Sequence, residues 1–223
     1  MRIQKFLSQQ NMCSRRQAEV FIEKGWIYIN DKKVSKKGQL MDPEKDSVRL
    51  ADEAKEVLKK RTYIKYYKPR GIITHSPGSN EESIQDIIDP AYKHCFPIGR
   101  LDKDSEGLIL LTDDGVFAKQ CLTNDNPHQR DYIINVSKSL TTEMIRKCER
   151  GMIILGKKTK PCKLKKISNK LYQITLFEGK NRQIRRMIQK VGSHVTALKR
   201  IRFGPILLDN LTPNQIQIIH PFS

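Results

Sequence analysis

A short apolar run preceded by a turn is the feature that most constrains the fold of this chain. Residues 108–111 read Leu-Ile-Leu-Leu and have polar residues close by on both sides. A run of this length is typical of a buried strand or of the start of a core helix. The turn before it contains Pro97, Gly99 and Gly107. The sequence therefore predicts a turn that delivers side chains to the edge of a hydrophobic core, a common place for reactive groups.

This turn is acidic, although the chain as a whole carries a net charge of +18. Acidic residues in a turn are most often solvated loop residues. Asp102, Asp104 and Glu106 also have the spacing of the first ligands of an EF-hand calcium loop. The apolar run begins at position seven of that loop, however, and Asp113 replaces the bidentate Glu of position twelve. We therefore expect no metal at this turn.

Positive charge is concentrated at the two ends of the sequence. Residues 151–223 hold 15 Lys and Arg against 2 acids, and residues 1–60 hold 14 against 9, whereas residues 61–150 hold 13 of each. A chain this basic is expected to bind a polyanion, with nucleic acid ahead of an anionic membrane surface. Its five cysteines lack a C-x-x-C pair, which favours a reducing compartment. Without an apolar leader or a span of ~18 apolar residues, we expect a cytoplasmic protein with no membrane contact.

The first part of the chain predicts two helices and a strand. Apolar periodicity indicates a helix over residues 2–9, and Ser14 has the spacing from Gln17 that a capping box requires at the start of a second helix. A strand is expected over residues 26–30. The charged segment 52–60 is predicted to be a linker or an exposed helix.

Three motifs follow one another in this part of the chain. They are Ser14-Arg15-Arg16-x-Ala18, Ile22-x-x-Gly25 and Ile29-Asn30. Together they resemble the S4 RNA-binding module. The resemblance implies that Arg2, Lys5, Arg15 and Arg16 share a face that binds phosphates of structured RNA. The alternative, that they are ordinary solvated helix charges, stays open.

Five further motifs extend through the rest of the chain. They are Tyr67-Lys68-Pro69-x-Gly71, Gly99-Arg100-Leu101-Asp102-x-Asp104-Ser105-x-Gly107-Leu108, Asp131-Tyr132-Ile133-Ile134-Asn135-Val136, Gly179-Lys180-Asn181-Arg182-Gln183-Ile184-Arg185-Arg186-Met187 and Leu198-x-Arg200-Ile201-x-x-Gly204. In this order they resemble the ribosomal RNA pseudouridine synthases of the RsuA, RluB, RluE and RluF type, and the RluF branch most. The resemblance implies an α+β protein. An S4-like domain with its linker (residues 1–60) would precede a catalytic domain (residues 61–223) with a mixed, mostly antiparallel β-sheet flanked by helices.

The reaction explains why a carboxylate is needed. Converting uridine to pseudouridine breaks the N1–C1′ bond, turns the uracil and rejoins it through C5, and we expect no cofactor. One ionised carboxylate beside the sugar is required, as in carboxylate glycosidases. By resemblance, Asp102 is that group. Whether it attacks C1′ or abstracts a proton stays open.

A predicted helix over residues 182–191 supplies a partner for this acid. At 100° per residue, Arg185 lies on the flank of the apolar face and Arg186 points toward solvent. An arginine beside a buried carboxylate opposes its protonation, and the family resemblance agrees in placing Arg185 against Asp102. Without the resemblance, Arg185 would be an ordinary helix arginine with a buried stem.

The remaining site residues are assigned by resemblance. Tyr132 lies in an alternating strand, where an aromatic residue most often serves sheet packing. The family places a tyrosine here to stack on the uracil, which must leave its helix to react. Ile184 would form the apolar floor under the base. Further substrate contacts are expected from Arg100, Leu101, Arg182 and Arg186.

The most basic segment predicts a phosphate-binding strand edge. Lys163 and Lys165 alternate outward, and Arg200 is expected to join them on RNA. The alternative is an edge protected by lysine against aggregation. A loop is predicted at residues 76–80, and a helical turn is predicted to begin at residues 212–213.

These features together predict site-specific isomerisation of uridine in 23S ribosomal RNA by a monomer, with transfer RNA as a second candidate substrate. The rival is a non-catalytic RNA-binding or ribosome-assembly protein that uses the same basic surface.

Overall fold

The computed structural model describes residues 1–75, 80–123 and 128–222. Most of the loop predicted at residues 76–80 therefore lies outside the described residues. The chain divides into two compact units, one of residues 1–63 and 112–120 and the other of residues 64–111 and 121–223. The grouping of residues 112–120 with the N-terminal unit has no counterpart in the sequence prediction.

The N-terminal unit is built from short helices around a small sheet. Its elements are α1 (Ile3–Gln9), α2 (Arg15–Glu23), β1 (Ile27–Ile29), β2 (Lys32–Lys33), β3 (Val48–Leu50) and α3 (Asp52–Lys59), with strand order β2-β1-β3. The predicted cap of α2 is present, because Ser14 accepts a hydrogen bond from the Gln17 backbone N–H at 3.2 Å. The Gln17 side chain instead accepts from Arg61 at 2.6 Å.

The segment predicted as a linker or an exposed helix belongs to this unit's core. It forms α3, and Ala54 on that helix is fully buried in the cluster that contains Ile3, Phe21 and Leu50. The linker alternative is therefore wrong. The error arose because one small buried residue among many charges leaves little hydrophobic signal.

From residue 63 on, the chain forms a large sheet with helices. The elements are β4 (Tyr63–Lys68), α4 (Ile84–Ile87), β5 (Phe96–Ile98), β6 (Glu106–Thr112), α5 (Gly115–Leu122), β7 (Arg130–Val136), α6 (Thr142–Glu149), β8 (Ile153–Ile154), β9 (Lys157–Lys158), β10 (Lys163–Ser168), β11 (Leu171–Leu176), α7 (Gln183–Lys190), β12 (Val195–Phe203), β13 (Ile206–Leu207) and β14 (Ile216–Ile218). Within the described ranges, strand order is β10-β11-β7-β12-β6-β4-β14, with β5 on β6 and β13 on β12. Because β12 runs parallel to β6 while its pairing with β7 is antiparallel, the sheet is mixed. The predicted α+β class with a mostly antiparallel sheet is confirmed.

The apolar run that follows the acidic turn is a strand. Residues 108–111 lie inside β6 and are at most 1% exposed. A seven-residue strand buried in the middle of the sheet fixes the position of the turn that enters it. The helical alternative for this run is therefore excluded.

The end of the chain differs from the prediction. Residues 216–218 form β14, which pairs antiparallel with β4, and residues 212–213 begin no helix. The Tyr66 hydroxyl donates to Asn214 Oδ1 at 3.0 Å, and the Tyr67 backbone N–H donates to the Gln215 carbonyl at 3.0 Å. The helical turn was wrong because this segment satisfies hydrogen-bonding groups of a distant strand, which local sequence does not reveal.

Close backbone contact joins β6 to β12 at Gly107. This residue pairs with Arg200 and has a φ of 101°. A Cβ at position 107 would lie 2.3 Å from the Arg200 carbonyl oxygen. Only glycine fits there, so the strand after the acidic turn is held directly against β12.

We expect Gly107→Ala to lower the free energy of unfolding by about 2–4 kcal/mol, because the methyl group forces β6 away from β12 in addition to straining the backbone. Urea denaturation measures this change. Gly71→Ala is the matched control, since Gly71 has a φ of 94° but no atom within 4 Å of the position that a Cβ would occupy. It should lose only about 1–2 kcal/mol from backbone strain. Equal losses in the two variants would contradict the close-contact explanation.

Candidate active site

Two carboxylates of the turn before β6 face two guanidinium groups from the start of α7. Arg182 places Nη1 3.4 Å from Asp102 Oδ2 and Nη2 3.4 Å from Asp104 Oδ2. Arg185 places Nη2 3.2 Å from Asp104 Oδ2 and Nε 4.0 Å from Asp102 Oδ2. The expected partner Arg185 is thus within ion-pair distance of Asp102, but Arg182 is the nearer cation.

Arg185 is fixed by the backbone around it. Its Nη2 donates to the Asp104 carbonyl at 3.0 Å and to Ser105 Oγ at 3.1 Å, and its Nη1 donates to the Val195 carbonyl at 3.1 Å. Burial lowers the pKa of Arg185, and the negative charge of Asp104 opposes this shift. Its Nε is buried without a hydrogen-bond partner among the described residues.

Arg182 differs from Arg185 in exposure and in backbone conformation. Its side chain is 42% exposed, against 12% for Arg185. Arg182 precedes the first residue of α7 with a left-handed φ of 49°, which directs it toward the acidic turn rather than along the helix. The predicted helix from residue 182 therefore begins one residue later. Arg182 is therefore the more exposed of the two cations, whereas Arg185 is held by hydrogen bonds to the surrounding backbone.

A third cation, Lys68, lies under the turn and was not singled out from the sequence. It is fully buried at the end of β4, and its Nζ donates to the Ser105 carbonyl at 2.8 Å and to the Pro69 carbonyl at 2.9 Å. Burial lowers the pKa of Lys68 to about 8, and nearby acids led by Asp102 oppose the shift. The available signal was a lysine at the end of an aromatic strand, directly before a proline.

A cavity of about 520 Å³ opens beside this turn. Seven of the eight residues predicted for catalysis or substrate contact line it: Arg100, Leu101, Asp102, Tyr132, Arg182, Ile184 and Arg185. A volume of this size suits a small organic group such as a nucleotide. Arg186 is not in the lining, and its Nε and Nη2 donate to the backbone and side-chain oxygens of Asn181 at 3.2 and 3.3 Å.

The residues predicted to contact the RNA backbone divide into two groups. Six of them are exposed: Arg2, Lys5, Arg15, Arg16, Lys163 and Lys165. Arg200 is only 3% exposed, and its Nε donates to the Leu108 carbonyl at 2.6 Å. The expectation of Arg200 on a phosphate-binding surface is therefore wrong. Strand alternation identifies its neighbours on one face but does not reveal which face is covered.

The two carboxylates of the acidic turn, Asp102 and Asp104, form ion pairs with arginines. Across residues 1–75, 80–123 and 128–222, no group of three His, Cys, Asp or Glu side chains could hold a metal ion. None of the helices in the described part of the chain is long and apolar enough to cross a membrane.

The geometry defines a class of protein before any comparison. A carboxylate lies on the wall of a nucleotide-sized cavity, together with a buried tyrosine and two arginines, in a chain with a net charge of +18. A positioned carboxylate can act as nucleophile or base at a sugar carbon. These features are those of an enzyme that modifies a nucleoside within a nucleic acid.

Comparison with known families identifies the class more narrowly. The model of the RNA pseudouridylate synthase family matches residues 62–190, and the model of the S4 domain matches residues 1–46. The chain belongs to the RNA pseudouridine synthase family and carries an S4 domain. The resemblance stated from the sequence motifs is confirmed.

Individual relatives agree with this assignment. The dual-specificity RNA pseudouridine synthases RluF of Salmonella typhi and Escherichia coli K12 are 39% and 36% identical to the chain; the matches cover 94% and 95% of it and 72% of each relative. The ribosomal large subunit pseudouridine synthase B of Bacillus subtilis is 32% identical, over 99% of this chain and 92% of the relative. A crystal structure of a pseudouridylate synthase superposes with a TM-score of 0.72 at 24% identity, covering 99% of this chain and 96% of its own, and shows the same fold.

The two site arginines should respond differently to truncation. Arg185→Met leaves three oxygen acceptors without their donor, so we expect a loss of about 2–4 kcal/mol in the free energy of unfolding together with a loss of activity. Arg182→Met removes exposed ion pairs and should cost less than about 1 kcal/mol while still lowering activity. Urea denaturation and a pseudouridine assay on the same preparations measure both effects. Equal destabilisation would contradict the distinction between the largely buried, hydrogen-bonded Arg185 and the exposed Arg182.

Proposed function

We propose that this protein isomerises uridine to pseudouridine at a specific position of large-subunit ribosomal RNA, with Asp102 as its reactive carboxylate. The observation that carries the proposal is the position of Asp102. It lies on the cavity wall together with Tyr132, within 3.4 Å of Arg182 and 4.0 Å of Arg185. A 32% exposed side chain can meet a substrate while the guanidinium groups attract its negative charge.

The cavity lining fits a single extracted nucleotide. Tyr132 and Ile184 offer an aromatic and an aliphatic surface between which a uracil ring can be held, since both line the cavity and both are at most 8% exposed. A base that is paired and stacked cannot present its glycosidic bond, so the uridine must turn out of its helix to enter. We propose that Arg100 and Arg182, also in the lining, contact the sugar-phosphate backbone of that nucleotide.

The reaction then needs no group beyond those in the cavity and the RNA. Asp102 acts at the sugar, either by attack on C1′ or by proton abstraction, while the base separates and turns. C5 bonds to C1′, the proton on C5 is lost and N1 gains one, so the product is an isomer of the substrate. We propose that Tyr132, which lines the cavity, stacks on the base and takes part in the removal of that proton.

The substrate class is proposed from the relatives and from charge. One relative is named as acting on the ribosomal large subunit and others as dual-specificity RNA enzymes, so we propose large-subunit ribosomal RNA for this chain, with transfer RNA as a second substrate. Six exposed basic residues, including Lys163 and Lys165 on edge strand β10, support binding to RNA phosphates. We further propose a cytoplasmic monomer; the five free cysteines fit a reducing compartment.

Replacement of the reactive carboxylate tests the proposal. We expect Asp102→Asn to bind RNA with nearly normal affinity and to lose pseudouridine formation by at least a factor of about 10⁴, because the amide can neither attack nor accept a proton. Chemical mapping of pseudouridine in ribosomal and transfer RNA measures turnover, and filter binding measures affinity. Asp104→Asn is the matched control from the same turn and should keep turnover within about tenfold.

Two outcomes would count against the assignment. Turnover by Asp102→Asn would show that another group reacts. RNA binding by the wild type without pseudouridine at any position would favour the non-catalytic RNA-binding alternative.

The affinity for RNA should fall steeply with salt, because each lysine that contacts a phosphate releases a counterion on binding. Lys163→Gln and Lys165→Gln should each reduce the slope of log K against log salt by about 0.7–1 without changing the rate of the bound complex. Binding titrations at several salt concentrations measure the slope. A salt-independent affinity would contradict the proposed phosphate contacts.

A further inference from the structure

The pairing of β7, which carries Tyr132, with β12 brings two more arginines into the cavity. In the antiparallel pairing of β7 with β12, Tyr132 lies opposite Arg200 and Arg130 lies opposite Phe203. Residues directly opposite each other project from the same face of a sheet, as do residues two apart on one strand. All four side chains line the cavity. Tyr132 is therefore flanked by a guanidinium group along its own strand and by another across the pair.

The two guanidinium groups converge on one aromatic ring. The guanidinium carbon of Arg130 lies 4.9 Å from the centroid of the Phe203 ring, and that of Arg200 lies 5.5 Å from it. Phe203 is 1% exposed, so both cations are drawn toward the interior. Burial lowers the pKa of Arg130, Tyr132 opposes this shift, and the like charge of Arg200 adds to it. Contact of both guanidinium groups with the Phe203 ring offsets part of the repulsion between their charges.

Neither arginine has an acidic partner among the residues that the structure describes. No carboxylate oxygen of a described residue lies within 4.0 Å of either guanidinium group, in contrast to Arg182, Arg185 and Arg202, which all have one. Arg200 is 3% exposed, and its Nη2 is buried without a hydrogen-bond partner in the described part of the chain. Arg130 donates from Nη1 to the His128 carbonyl at 3.3 Å. Buried positive charge without a counter-charge is costly, and this arrangement is suited to an anion that arrives with the substrate.

The reaction itself produces such an anion. When the C1′–N1 bond breaks, its electron pair leaves with the base, which becomes a uracil monoanion with charge shared among N1, O2 and O4. C1′ is meanwhile taken by a carboxylate oxygen of Asp102. If Asp102 instead removes the C2′ proton, a C1′–C2′ double bond forms as the base leaves with its electron pair, and the same proton returns to C2′ when C5 bonds to C1′. When C5 then bonds to C1′ the carboxylate is released, and the proton lost from C5 is balanced by one gained at N1.

We propose that Arg130 and Arg200 are additional catalytic residues that donate hydrogen bonds to the uracil oxygens and stabilise the detached uracil anion. This assignment rests on the proposed function and adds a second charged wall to the same cavity. Asp102 acts on the sugar, and the two arginines act on the base that Tyr132 stacks against. A phosphate is the less suitable ligand for Arg200, because a 3% exposed side chain lies deeper than the RNA backbone, which must pass outside the cavity.

Truncation of Arg200 separates stabilisation of the base from binding of the backbone. For Arg200→Met we expect the single-turnover rate with saturating enzyme to fall on the order of 10²-fold, as for removal of one donor from an oxyanion site, with RNA affinity within about threefold. Arg200→Lys keeps the charge and should lose less. Lys199→Met is the matched control, since it removes a cation from the adjacent position of β12 outside the cavity lining, and its rate should match the wild type.

Chemical rescue supplies a readout that a structural role would not give. Arg130→Ala should regain activity when methylguanidinium chloride is added and should not respond to the same concentration of sodium chloride. Thermal unfolding of every variant checks the fold, and Arg200→Met is expected to remain folded because it removes a buried charge while keeping an unbranched side chain.

The possible results decide between distinct assignments. Weakened RNA binding with an unchanged single-turnover rate would overturn the proposal in favour of a phosphate contact. Equal rates in Arg200→Met, Arg200→Lys and wild type would also overturn it. Pseudouridine formation by the wild type, measured in the same series, separates a failure of this assignment from a failure of the proposed function.

Discussion

The attraction between the carboxylates of the acidic turn and the guanidinium groups at the start of α7 is the interaction on which the site depends. Asp102 and Asp104 would repel each other in a turn without partners, and Arg182 and Arg185 each lie within ion-pair distance of both. Arg185 is the central member, because its three hydrogen bonds to oxygen atoms join the turn to the residue that begins β12. One side chain therefore connects the acidic turn that carries Asp102 to strand β12.

Close packing of the backbone brings the acidic turn near the strand that carries Tyr132. β12 lies between β6 and β7 in the sheet, so the turn that enters β6 and the face of β7 that carries Tyr132 are two strands apart. At Gly107 the two parallel strands approach so closely that no side chain fits. Lys68 then closes the space under the turn with hydrogen bonds to two carbonyl oxygens. The turn is therefore held from below by a hydrogen bond from Lys68 to the Ser105 carbonyl and from the side by ion pairs with the two arginines.

The sequence predicted those parts of the site that depend on local periodicity. The short apolar run indicated a buried element at residues 108–111 without deciding between strand and helix, and the inward flank of Arg185 follows from helical spacing. The nearer contact of Arg182 with Asp102 could not be predicted, because it depends on a left-handed φ of 49° before the helix begins. Burial of Arg200 was also missed, since it depends on pairing between β12 and β7, strands that are distant in sequence. For the same reason the helical turn predicted to begin at residues 212–213 was wrong and strand β14 was missed.

The cavity has two walls, which differ in whether their arginines are paired with carboxylates. On the wall of Asp102, Arg182 and Arg185 each meet a carboxylate, so their charges are balanced before substrate binds. On the wall of Tyr132, Arg130 and Arg200 share the Phe203 ring and donate to two backbone oxygens. A neutral uridine gains little from cations that lack an acidic partner among the described residues, whereas a base that has just taken up an electron pair gains much. The difference between the two walls therefore stabilises the detached uracil anion more than the bound uridine. Stronger stabilisation of the reacting state than of the substrate is the condition for catalysis rather than for binding alone.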